Sequence, residues 1–222
     1  MRQHINILNL LPVGPKPTEV RAQATNFDRR QHWKLSNLYF DGSREQGYGG
    51  YYKDQRWEPV ANFLIEKYKL GPTSRILELG CAKGFLLSEI RKLIPKIELW
   101  GLDISRYALE NVRPKDDIFL VQGNFESLPF RKKYFDLVIC LNSMHNILTL
   151  NETIRALGEI DRISRNSIIS VAAYTNLGEK MFLDEWAVVA STYLTENDWL
   201  KVFKLSNYQG DYDWFQPWKI SD

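Results

Sequence analysis

The sequence predicts a doubly wound α/β fold on a mostly parallel sheet. From about residue 59 onward, short apolar runs alternate with segments of helical periodicity, and glycine or proline punctuates the joins. A chain of 222 residues is also long enough to bury one sizeable core.

Taken in order, "EPVANFLIEKYKL" spaces its apolar residues as a helix does, and "GPTS" ends it. "RILEL" reads as a buried strand and "GFLLSEIRKLI" as a helix stopped by Pro95. "IELWGLDI" is a second strand, followed by a short helix "SRYALENV" that Ser105 is suited to cap. "DIFLVQG" and "YFDLVICLN" are the third and fourth strands, "LNETIRALGEIDRI" a helix and "SIISVAAY" a fifth strand. "TENDWLKVFKLSNYQG" opens on a threonine cap and closes at Gly210; "YDWFQPW" follows as an edge strand, because it carries a proline. Residues 1–58 differ in texture, being polar, aromatic and glycine-rich. They are expected to form a lid or cap on a single globular unit spanning 59–222.

Composition removes several classes of function. A net charge of +2 gives no electrostatic reason to expect a nucleic-acid partner, and "RKLIPK" and "FRKKYF" read as solvated faces. The two cysteines, Cys81 and Cys140, are too few for a disulfide scaffold, and no Cys/His cluster has zinc spacing, so no metal is expected. The start of the chain is a poor signal peptide and no apolar run has the length of a membrane span, so a cytoplasmic protein is expected.

In doubly wound sheets, ligands sit beyond the carboxyl ends of the strands at the switch point. Three strand ends carry suitable residues. The first, "RILELGCAKGFLLSEI", lacks both the dinucleotide fingerprint, since Ala82 and Phe85 stand where glycines are needed, and the P-loop. What remains is Glu78-x-Gly80-x-x-x-Gly84, a tight turn with a carboxylate that suits an ammonium group and would repel a pyrophosphate. The second, "WGLDIS", places Asp103 where a carboxylate can take both hydroxyls of a ribose. The third, "QGNFESLPF", offers Asn124 and Phe125 to an adenine edge and face. Singly these read equally well as a βα turn, a helix cap and a Gly-Asn turn; their order and spacing together are far more specific.

Through "ILELGCAKG", "GLDIS", "GNFESLPF" and "FDLVICLNSMHNI", the sequence resembles the class I S-adenosyl-L-methionine-dependent methyltransferases over roughly Glu58 to Tyr174. The resemblance implies a seven-stranded sheet with one reversed edge strand. It also implies S-adenosyl-L-methionine as cofactor and S-adenosyl-L-homocysteine as product. It assigns cofactor contacts to Glu78, Gly80, Cys81, Ala82 and Gly84, then Asp103 and Ile104, then Asn124 and Phe125, and to Asn142 past strand four. Ala82 replaces the usual middle glycine, and Asn124 the usual aspartate, although its carbonyl oxygen can still accept.

The stretch "YFDGSREQGYGGYYKDQRW" combines glycine hinges with tyrosines that have apolar faces and polar tips, a composition suited to a lid over a polar substrate. Asp41, Arg44, Tyr48, Tyr51, Tyr52 and Arg56 are its candidate substrate residues. This stretch, "LNSMHNI" and the C-terminal segment are similar to a subgroup of small bacterial methyltransferases of surface-polysaccharide and sugar-nucleotide pathways. That resemblance implies O-methylation of a sugar, a sugar nucleotide or a phosphorylated intermediate. An RNA or protein methyltransferase, or a non-catalytic cofactor-binding protein, would share the same motifs. Methyl transfer needs a base only when the nucleophile is protonated. His145, just past strand four, is the candidate base, with simple packing as the alternative.

Overall fold

The computed structural model describes residues 2–11, 33–43, 55–113, 117–187 and 189–219. In chain order the elements are α1 (Asn37–Asp41), α2 (Glu58–Tyr68), β1 (Arg75–Leu79), α3 (Phe85–Leu93), β2 (Glu98–Asp103), α4 (Arg106–Glu110) and β3 (Phe119–Gln122). They continue with β4 (Phe135–Cys140), α5 (Leu150–Ile163), β5 (Ser164–Tyr174), α6 (Leu177–Trp186), β6 (Leu194–Thr195), α7 (Glu196–Leu205) and β7 (Asp211–Phe215).

The strands form one seven-stranded sheet in the order β3-β2-β1-β4-β5, with β6 and β7 both paired to β5. This is the predicted doubly wound sheet. Its order reverses between β1 and β4, which run side by side with Ile76 opposite Leu137 and Glu78 opposite Ile139. The reversed edge strand is absent among the described strands: β7 runs parallel to β5, from Ile168 opposite Asp211 to Ala172 opposite Phe215. The cause is the connection. A parallel neighbour requires a crossover, and here α6, β6 and α7 carry the chain back to the end of the sheet where β5 starts.

Alternation along the strands divides the core in two. Ile76, Leu137, Ile139 and Ile168 pack with α2 and α3 through Val60, Leu64, Leu86 and Ile90. Leu77, Leu79, Val138 and Ile169 face the other way, against Leu157 and Ile160 of α5 and Trp199 and Phe203 of α7. Local signals start the helices where the sequence suggests. Ser105 accepts from Ala108 N, Thr149 and Glu152 form a reciprocal capping box, and Thr195 accepts from Asp198 N.

The first residues of the chain pack into the core. Ile5 N donates to Tyr212 O and Tyr212 N to Gln3 O, which covers the outer edge of β7. Ile7 and Leu8 are fully buried beside α2, and Leu8 N donates to the buried Asp213 carboxylate at 2.8 Å.

Candidate functional site

The strand–turn–helix from β1 to α3 has three residues in left-handed conformation, Gly80 (φ 71°), Ala82 (φ 48°) and Gly84 (φ 69°). A Cβ on Gly80 would lie 2.2 Å from Ser143 Oγ and 3.4 Å from the ring of Phe125. The turn of β1, the end of β4 and the loop after β3 therefore meet at one point, and only a glycine allows that approach. Ser143 belongs to this point although the motif reading did not single it out. The tight packing of β1 against β4 puts it there, and local sequence carries no such signal.

Two carboxylates lie beneath the turn. Asp103 accepts from Ser105 N through Oδ1 and from Ala82 N through Oδ2, each at 2.8 Å. Its pKa is raised by burial, an effect that backbone N–H donors from Ser105, Ala82 and Ile104 partly offset. Glu78 is buried, and its Oε2 has no hydrogen-bond partner. Burial, and then the charge of Asp103, hold its pKa well above the usual carboxylate range. An orphaned buried carboxylate oxygen at a glycine turn fits a cationic ligand group, which would end both the desolvation cost and the repulsion.

Around these groups Ile104 is 58% exposed at the end of β2, Asn124 is exposed, and Phe125 is half-buried against the turn. Cys81 is different: its thiol is buried in the core close to Gly101, so only its backbone is left for a ligand. Asn142 is left-handed (φ 55°) and locked to β5. Its N–H donates to Ser170 Oγ at 2.6 Å, and Ser170 Oγ donates to its Oδ1 at 3.0 Å. The Ser170 hydroxyl thus fixes which end of the amide is the carbonyl.

His145 is 3% exposed. Its Nδ1 accepts from Ala172 N at 3.3 Å, and its ring stacks on Phe215 with centroids 5.7 Å apart. Burial pushes its pKa down to about 4. The imidazole is therefore neutral near pH 7, with one nitrogen committed to the sheet.

Of the proposed substrate residues, Arg44, Tyr48, Tyr51 and Tyr52 lie outside the described residues. Arg56 is exposed in the turn before α2. Asp41 is turned toward the protein itself, bound to Lys83 and Tyr107.

Comparison with known proteins agrees with this geometry. A family model described as a methyltransferase domain matches residues 76–167. Malonyl-[acyl-carrier protein] O-methyltransferase of Legionella pneumophila is 27% identical over 150 residues, covering 64% of this chain and 50% of that protein. The tRNA (carboxymethyluridine(34)-5-O)-methyltransferase of Arabidopsis thaliana is 28% identical over 144 residues, covering 64% of this chain and 33% of that one. The chain thus spans half or less of the length of these two curated relatives. Among solved structures, a methyltransferase in complex with the Haloferax volcanii Trm112 methyltransferase activator superposes with a TM-score of 0.55 at 18% identity. That superposition covers 85% of this chain and 76% of that one, and shows a shared fold. Neither relative's name points to surface polysaccharide. No described helix is long and apolar enough to cross a membrane.

Proposed function

We propose that the chain, whose residues 76–167 match a methyltransferase domain, is a class I methyltransferase that uses S-adenosyl-L-methionine to methylate a carboxylate oxygen of a polar acid. The locked Asn142 amide is the observation that carries this reading. Ser170 Oγ donates to its carbonyl, which leaves its two side-chain N–H donors to an acceptor oxygen bearing negative charge. His145 does not complement it as a base, because its Nδ1 lone pair already accepts from Ala172 N and burial lowers the basicity of the ring. A carboxylate needs no base. The names of both relatives describe methylation of carboxyl-bearing acceptors, a malonyl group and a carboxymethyl group, which supports the same class.

When bound, the cofactor supplies a methyl group already activated by its sulfonium. The chain's own residues do the rest. Glu78 would meet the ammonium group, Asp103 would take the ribose hydroxyls through lone pairs its backbone donors leave free, and Ile104 and Phe125 would flank the adenine. Asn124 meets the adenine edge. Asn142 would align the acceptor oxygen for attack on that methyl group. No proton moves in this step, so alignment and exclusion of water account for the rate.

The experiment uses cofactor with a labelled methyl group and a panel of a malonyl thioester, 5-carboxymethyluridine, a uronic-acid sugar nucleotide and its neutral-sugar counterpart. A methyl ester releases labelled methanol in mild alkali, whereas an ether or an N-methyl group does not. Alkali-labile product is expected. Alkali-stable label on a hydroxyl or an amine would overturn the proposal.

A further inference from the structure

We propose that Asp41 is a positioning residue of the cofactor site, clamping α1 onto the glycine turn and α4; this rests on the cofactor reading above. Its Oδ1 receives the Lys83 ammonium at 2.5 Å and its Oδ2 the Tyr107 hydroxyl at 2.6 Å. Lys83 lies inside the turn between Ala82 and Gly84, and Tyr107 lies on α4, directly beyond the strand end that carries Asp103. One carboxylate therefore ties together the two elements that flank the cofactor.

The surrounding contacts point the same way. Ser105 Oγ donates to Leu35 O at 2.6 Å, just before α1. Tyr39 and Phe40 are buried with Ala108 and Val189, and Leu35, Ala82 and Tyr107 pack against them. A helix of five residues has no stability of its own, so α1 stays where these contacts hold it. The Lys83 side chain is 11% exposed and that of Asp41 31%, so the pair is sheltered enough to matter more than an exposed ion pair.

The consequence reaches the cofactor through the backbone. Ala82 adopts a left-handed conformation that costs a non-glycine residue energy, and its N–H holds Asp103 Oδ2. Anchoring the next side chain, Lys83, restrains that peptide and keeps the Asp103 carboxylate aimed. Asp41 thus acts on the ribose-binding carboxylate without touching the cofactor. This differs from the substrate-binding role its sequence context suggested.

The test is calorimetric titration of the full chain with S-adenosyl-L-methionine, beside the melting temperature of the ligand-free protein. Failure of the unaltered chain to bind would sink the cofactor reading, and this proposal with it. Given binding, Asp41→Asn and Lys83→Met should each weaken affinity about tenfold, and Tyr107→Phe about threefold. The double variant Asp41→Asn with Lys83→Met should be no weaker than either single one, and Asp41→Glu should recover most of the loss. Ligand-free melting temperatures should stay within about 3 °C throughout. Affinity within twofold of the parent in Asp41→Asn, losses that multiply in the double variant, or losses that follow the melting temperature would each overturn it. If Asp41→Asn does not fold, Tyr107→Phe, which removes one hydroxyl, decides: unchanged affinity refutes the clamp.

Discussion

Replacing His145 by glutamine separates a structural imidazole from a catalytic one. At pH 7 the variant keeps a polar side chain near Ala172 N but loses the stacking on Phe215, a loss of about 1–2 kcal/mol. The pH dependence is more telling. His145 titrates at about 4 in the folded protein against an ordinary 6.5, so between those values the unfolded chain binds the extra proton. Its contribution is therefore present above pH 6.5 and is lost as pH falls toward 4. At 1.36 kcal/mol per pH unit the loss amounts to about 3 kcal/mol. Asp213 has the opposite sign. Burial raises its pKa from 3.8 to about 6, so it costs stability as pH rises through that range and masks His145 in the parent protein. Because Asp213 is common to both proteins, the difference between them isolates His145. Urea unfolding from pH 4 to 7 should show the parent more stable at neutrality, the glutamine variant more stable at pH 4, and the two curves crossing at about pH 5.5. Turnover of the folded variant should stay within about threefold of the parent, whereas losing a general base costs about a hundredfold or more. Parallel stability curves combined with a hundredfold loss of turnover would refute the structural reading and return His145 to the mechanism.

Glu78→Gln should weaken cofactor binding yet raise the melting temperature of the ligand-free protein at pH 8, because it removes a buried carboxylate with an orphaned oxygen. In the parent, affinity should rise with pH through the raised Glu78 pKa as the carboxylate ionises; calorimetry in buffers of different ionisation enthalpy would show the released proton, and a flat profile would contradict the assignment. Gly80→Ala should unfold or inactivate the protein, since its Cβ would sit 2.2 Å from Ser143 Oγ and 2.4 Å from Ser143 Cβ. Adding Ser143→Gly should leave only the left-handed penalty of about 1–2 kcal/mol, measurable by urea unfolding. Thr149→Ala breaks the capping box of α5 and should cost about 1 kcal/mol, or about 2–4 °C in melting temperature, without altering cofactor affinity.

Those features legible in the sequence have local causes. "RILEL" coincides with β1 and "LNETIRALGEIDRI" with α5, because period and caps are written in neighbouring residues. Asp103, Gly80 and Gly84 could be read because a βα turn and a strand end are local motifs whose spacing survives folding. By contrast, α6 was not recognised. Leu177 is 71% exposed and Met181 56%, so its apolar pattern does not mark a buried face. The direction of β7 could not be read, because a parallel or reversed neighbour depends on the whole path from β5, and "YDWFQPW" reads the same either way.

By itself the sequence determined the alternating elements, the doubly wound sheet and the carboxylates and glycines at the turn between β1 and α3 and the end of β2, since each follows from periodicity or from backbone freedom. Only the tertiary structure decided which side chains face that turn. It buried His145 against Phe215, locked the Asn142 amide to Ser170, 28 residues away, and drew Asp41 onto Lys83 across 42 residues. The physical reason is range: caps and turns are bonded within a few residues, whereas an aimed amide or a clamped carboxylate exists only once distant strands and helices have packed.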